Sequence, residues 1–245
     1  MNPETENPIE PLIPLESAPG PASPNLEVAA DPALTTDLVL DLMKDRSLPS
    51  EVIEQISRNV AVMKSRKVRV ALTAHPRTPR RIALRLIRKL YTFDLMQFSL
   101  LSAVTADLKR VADELLVARL ASITLGERIS LARRSSAAVA AALLLDRESR
   151  VWQTALENPR LGEAAVVKAL ARQSASPALV KVICGHARWS VRPEIRMALL
   201  RNEYTPLARA LEFARVPPAQ LRDILHASRL PEKIKTYLRK DLERK

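Results

Sequence analysis

A corner repeated along the chain constrains its fold more than any other feature. The stretch "LENPRLGEAAVVKAL", Leu156 to Leu170, reads as the end of one helix, a tight turn at Asn158-Pro159 and the start of another. The same texture recurs in "DRSLPSEVIEQI" from Asp45, "HPRTPRRIALRLI" from His75, "QSASPALVKVI" from Gln173, "RNEYTPLARAL" from Arg201 and "ASRLPEKIKTYL" from Ala227. Weaker copies begin at Ser102, Arg133 and Ala214. Each has a polar residue or His, then Pro or a small residue, then an aliphatic helix. Asn tolerates the left-handed conformation that closes many helices. Pro cannot continue the helix before it, and it suits the first turn of the next, where no N–H is needed. Aliphatic residues at i, i+3 and i+4 then face a neighbour. His75 and His186 stand where other copies use Asn. The corner lacks the glycine-rich cradle and the Lys-Ser/Thr pair of a phosphate loop, so it reads as a structural hinge.

Counted from Pro49 to Pro79, Ala106, Ala137 and Gly162, corners recur about every 25–31 residues, and about every 11–16 in the C-terminal half. Self-similarity at such a period is the signature of a solenoid. Composition agrees: 4 Gly and 3% aromatic residues beside 47% hydrophobic favour helix over sheet. Thr35 or Thr36 can cap a helix through Leu38, Val39, Leu42 and Met43. "VRVAL", Val68 to Leu72, alternates weakly, but it lies between helical segments and is read as helix. In "LGERISLARR", Leu125 to Arg134, Gly126 is expected to end or kink a helix, and Glu127 to pair with Arg128, Arg133 or Arg134.

"DRESRVWQTALENPRLGEAAVVKALA", Asp146 to Ala171, and "LLRNEYTPLARALEFA", Leu199 to Ala214, resemble HEAT-like and leucine-rich-repeat-variant units. Residues 35–240 or so also resemble an uncharacterised bacterial family of such helical-repeat proteins. The resemblance implies an all-α fold: a short right-handed α-solenoid of degenerate HEAT-like repeats over residues 34–245. It carries no catalytic residues, because the repeat motifs are structural. The expectation is therefore a non-enzymatic protein–protein interaction scaffold with no cofactor and no metal. Some HEAT-like solenoids are DNA glycosylases for alkylated bases, with aromatic and acidic residues beside a basic groove. No motif here matches one.

Residues 1–33 differ in character. They carry Pro3, Pro8, Pro11, Pro14, Pro19, Pro21, Pro24 and Pro32, with six acidic residues and no Lys or Arg. Such a segment is expected to be a disordered acidic tail with polyproline-II character. The formal net charge of the chain is +12. Residues 1–46 hold nine Asp/Glu against two Lys/Arg, about −7, so the remainder carries about +19. That balance points to an anionic partner.

Between Glu54 and Asp94 there is no acidic residue, while eleven Lys and Arg fall in that window. After Pro79, Ile82, Leu86 and Leu90 share one helix face, and Arg81, Arg85 and Arg88 at i, i+4 and i+7 share another. Parallel arginines cannot neutralise one another, and they suit bidentate contact with carboxylate or phosphate. The candidate macromolecule-binding residues are Lys64, Arg66, Lys67, Arg77, Arg81, Arg85, Arg88 and Lys89. An acidic protein is the expected partner, with nucleic acid as the alternative and the chain's own acidic tail as a third. Few aromatics interleave with the basic residues, which argues against single-strand stacking. A solvated face that only aids solubility makes the same pattern.

The single Cys, Cys184, excludes an intrachain disulfide and sits beside Val182 and Ile183 as a buried residue would. With His186 it supplies only two potential ligands, too few for a structural zinc site. Trp152 and Trp189 lie near corners, where packing between repeats or a ligand-facing role would each place them. No apolar run reaches the roughly 18–20 residues that span a bilayer. The acidic, Pro-rich start is no secretory signal, so a cytoplasmic protein is expected.

Overall fold

The computed structural model describes residues 24–243, and every regular element among them is a helix. The N-terminal block holds α1 (Pro24–Ala30), α2 (Thr36–Leu42), α3 (Ser50–Arg58), α4 (Val60–Met63), α5 (Arg66–Ala74) and α6 (Arg80–Ile87). The middle holds α7 (Thr92–Leu100), α8 (Ala106–Arg119), α9 (Leu125–Arg134) and α10 (Ala137–Leu143). Then come α11 (Ser149–Leu156), α12 (Glu163–Ala171), α13 (Pro177–Gly185) and α14 (Pro193–Leu200). The chain continues through α15 (Leu207–Phe213), α16 (Pro218–Ala227) and α17 (Glu232–Glu243). No helix is long and apolar enough to cross a membrane among the described residues.

Helices two places apart pack on each other: α5 on α7, α6 on α8, α8 on α10, α10 on α12, α12 on α14 and α14 on α16. The same holds for α9 with α11, α11 with α13 and α15 with α17. Buried residues fall into two clusters. Val39, Leu48, Val52, Ile53, Ile56 and Leu72 belong to the smaller, which reaches from Ala29 to Leu86. The larger runs from Ile87 to Leu238 and contains both tryptophans.

The expected tail boundary moves. Residues 24–30 form α1, which packs against α3 and buries Ala29, and Leu34 joins the same core. Pro24 is the first residue of that helix, and no proline follows until Pro32, so every later residue of the helix keeps its N–H. The rest of the expected tail, residues 1–23, lies outside the described residues. Thr35 caps α2 by accepting from Leu38 N–H. Val68–Leu72 lies within α5, as expected. Gly126 neither ends nor kinks a helix: it stands in the first turn of α9, which Thr124 and Glu127 close with a reciprocal capping box. The Glu127 carboxylate is therefore held by Thr124 rather than by the arginines, and those hydrogen bonds lower its pKa.

The corners also work differently from expectation. No described residue has positive φ, so Asn158 and Asn202 do not adopt the left-handed conformation. They act through their side chains. The Asn158 amide donates to the Ala132 and Ser135 carbonyls at the end of α9, at 2.8 and 3.3 Å, while its Oδ1 accepts from Arg160 N–H. Asn202 donates to Leu170 at the end of α12 and accepts from Tyr204 N–H. Ser228 donates to Leu200 and accepts from Leu230 N–H. His75 follows the same pattern: Nδ1 accepts from Arg77 N–H, so Nε2 carries the proton and donates to the Asp45 carbonyl at 2.9 Å.

The last carbonyls of a helix have no partner inside it. Here a polar residue near a later corner supplies a donor for carbonyls at the helix end or in the turn just past it. Arg119 does so for Arg88 and Leu90, Arg188 for Asn158 and Leu161, and the Trp189 indole for Leu156. Apart from the Asn158–Ser135 bond, these donors stand 26 to 33 residues after their acceptors, about one corner spacing in the N-terminal part and about two in the C-terminal half. Proline takes two positions: Pro49, Pro79, Pro206 and Pro217 are N-caps, while Pro177, Pro193 and Pro218 begin their helices.

Candidate macromolecule-binding surface

The basic window folds into α4, α5, α6 and their connections. Lys64 is the C-cap of α4, and Arg66 and Lys67 open α5. Arg77 lies in the turn between α5 and α6, where its N–H is held by His75. Arg81 and Arg85 are on α6, Arg88 is its C-cap, and Lys89 follows. All eight candidate residues are exposed. The apolar face of α6 is buried as the spacing requires, through Ile82 and Leu86, and Leu90 continues it past the helix end.

The cations do not form one uncompensated stripe, because the acids that bound the window in sequence fold back into it. Arg81 meets Glu54 of α3 at 2.5 Å. Arg66 grips Asp94 of α7 through Nε and Nη2, at 2.8 and 2.7 Å. Arg80 meets Asp107 of α8 at 2.9 Å. The Thr105 hydroxyl and then Arg80 pull the Asp107 carboxyl down to about 2. Asp94 in turn raises the Arg66 pKa through hydrogen bonding and charge. Among the described residues Arg85 reaches only the Ser57 hydroxyl, at 3.4 Å. Lys64, Lys67, Arg77, Arg88 and Lys89 have no ion pair among the described residues.

Two groups result. Arg58, Arg81 and Arg85 line a cleft of about 260 Å³ between α3 and α6, with Glu54, Ser57 and Ile82 as its other walls. In the second group, Arg66 and Arg69 of α5 stand over the ring of exposed Tyr91, at 5.4 and 6.0 Å from its centroid. Sequence reasoning placed Arg58 at the start of the basic region but left Glu54, Ser57 and Tyr91 out of the site. Ser57 and Arg58 share a face with Glu54 at i+3 and i+4, which was the available signal. Tyr91 carried none, since its partners come from α5.

The remaining candidates for chemistry resolve as structure. Cys184 is buried, and burial pushes its thiol up to about 11. Trp152 and Trp189 are both buried, so the ligand-facing alternative for either is set aside. The Arg188 guanidinium stacks 4.2 Å from the Trp189 ring. His186 accepts from Arg188 N–H at Nδ1, and its Nε2 lies 3.1 Å from the Glu157 carboxylate but outside hydrogen-bond geometry. No family model matches the chain, and neither a curated protein nor a solved structure is significantly similar to it.

Proposed function

We propose that the chain is a non-catalytic α-solenoid of degenerate HEAT-like repeats that binds an acidic protein partner through the basic surface of α3 to α6. Packing of helices two places apart and corner bonds at a fixed sequence interval support the solenoid, in which each repeat touches its neighbours. The surface reading is carried by one observation. Exposed cations with no ion pair among the described residues, Arg88 and Lys89 among them, are interspersed along the chain with Arg66, Arg80 and Arg81, each of which holds a carboxylate. A nucleic-acid backbone is a continuous row of negative charge, and Glu54 in the cleft repels it. A protein surface can place its acids opposite the free cations and its own polar groups opposite the fixed carboxylates.

The test compares a fluorescent acidic peptide with a duplex DNA of similar charge at about 50 and 150 mM salt. The expected result is peptide binding weakened about tenfold by Arg85→Glu with Arg88→Glu, and duplex binding no tighter than the non-specific range of about 10⁻⁴–10⁻⁶ M. Tight duplex binding, steep in log salt and removed by the same two changes, would reverse the choice of partner.

A further inference from the structure

We propose that the chain's own acidic residues 1–23 dock in the cleft between α3 and α6, with Arg58 and Arg85 as the main anchors. This rests on the reading that the basic surface takes acidic protein segments. Three observations carry it. The first is charge: residues 1–23 contain Glu4, Glu6, Glu10 and Glu16 and no Lys or Arg. The second is place. Residue 24 opens α1, and α1 packs on α3, the helix that supplies Glu54, Ser57 and Arg58 to the cleft. Twenty-three residues have a contour length of at most roughly 76–83 Å, enough to pass over an adjacent helix. Attachment to α1 makes the binding intramolecular, so weak ion pairs count.

The third is vacancy of partners. Among the described residues Arg85 holds only a hydroxyl, at 3.4 Å, and the Arg58–Glu54 pair is long, at 3.9 Å. Glu54 already serves Arg81 at 2.5 Å, so the cleft holds three guanidiniums and one carboxylate. Docked glutamates would restore the balance and compete with an external acidic partner for the same residues.

Two measurements on the full chain test this. Zero-length carbodiimide coupling at dilute protein joins carboxylates to amines already in contact. The expected products link Glu4, Glu6, Glu10 or Glu16 to Lys64, Lys67 or Lys89, the lysines of the basic window, in excess over Lys168 and Lys181. Products spread evenly over all lysines, or absent, overturn the docking. The second measurement titrates a fluorescent decaglutamate peptide at low salt into the chain and into a Glu4→Gln, Glu6→Gln, Glu10→Gln, Glu16→Gln variant. The variant is expected to bind at least about threefold tighter, a gain that Arg58→Glu with Arg85→Glu removes. Equal affinities, both lost with those two changes, overturn the docking and leave the acidic-partner reading intact. Specific coupling with no peptide binding to either protein keeps the docking and removes that reading. Neither coupling nor peptide binding removes both.

Discussion

In the C-terminal half, Arg160, Arg188 and Arg229 turn onto main-chain carbonyls of earlier corners, at 2.8 to 3.2 Å. In the N-terminal block, Arg66, Arg81 and Arg85 turn outward, to carboxylates, a hydroxyl and solvent. The same residue type does different work in the two regions. Helix C-termini carry partial negative charge and unpaired carbonyls, and a guanidinium with its fork of donors suits them. Part of the excess positive charge is therefore committed to holding successive corners together. The N-terminal block turns several of its arginines to its surface, and it also has its own core cluster.

The difference is sharpest in stability. Trp189 is buried and its indole caps Leu156, so Trp189→Ala is expected to cost about 3–5 kcal/mol. Trp189→Phe keeps most of the packing and loses the bond, about 1–2 kcal/mol. Both tryptophans belong to the larger cluster, so Trp152 fluorescence reads that region alone. Ile53→Ala is expected to cost about 2–5 kcal/mol in the other cluster. Its effect should shift the unfolding followed by far-UV circular dichroism and leave the tryptophan midpoint nearly in place. Identical shifts in both probes would mean one cooperative unit and break the comparison.

Corner residues come next. Asn202→Ala leaves the Leu170 carbonyl and the Tyr204 N–H without partners in a buried corner, about 1–3 kcal/mol by denaturant titration. Asn59 only caps the short α4, accepting from Ala61 and Val62, so Asn59→Ala should cost about 1 kcal/mol. Equal costs would mean that the C-terminal corners are ordinary caps. A smaller pair tests arginine directly. Arg188→Met loses two carbonyl bonds and a stacked tryptophan, about 2 kcal/mol, and should not affect acidic-peptide binding. Arg88→Met should change stability by no more than about 0.5 kcal/mol and weaken that binding.

These residues also mark what could be read in advance. Helix content, the corner period and His75 as an Asn substitute followed from Pro placement and aliphatic spacing, because both act within a few residues. The apolar face of α6 was legible for the same reason. Asn158 and Asn202 were identified as corner residues, but their mechanism was misread. A left-handed backbone is a local explanation, whereas the actual partner is a carbonyl 26 or 32 residues earlier. The basic window misled in the same way. Its lack of internal acids is true of the sequence, yet Glu54, Asp94 and Asp107 arrive from neighbouring helices. Local pattern fixes which residues share a face, and only the stacking of helices decides what lies opposite. Residues 24–30 were assigned to the tail on proline density, and the Pro-free run from Asn25 to Asp31 was the overlooked sign of α1.

The smallest effect concerns the seam between the two regions, where Arg80 of α6 meets Asp107 in the first turn of α8. Thr105 donates to that carboxylate as well, and together they lower its pKa from 3.8 to about 2. A carboxyl with a lower pKa in the folded chain than in the unfolded one adds stability above the unfolded value. That contribution is lost as pH falls through the folded value. Asp107→Asn should therefore lower Tm slightly at pH 7, and the gap from the parent chain should close between about pH 4 and pH 2. Arg80 is well exposed, so 1 M salt should shrink its share while the Thr105 bond persists. A gap that stays constant down to pH 2 would assign the effect to packing, and the Arg80–Asp107 pair would then contribute nothing to a seam that Arg119, the Arg66–Asp94 pair and helix packing also hold.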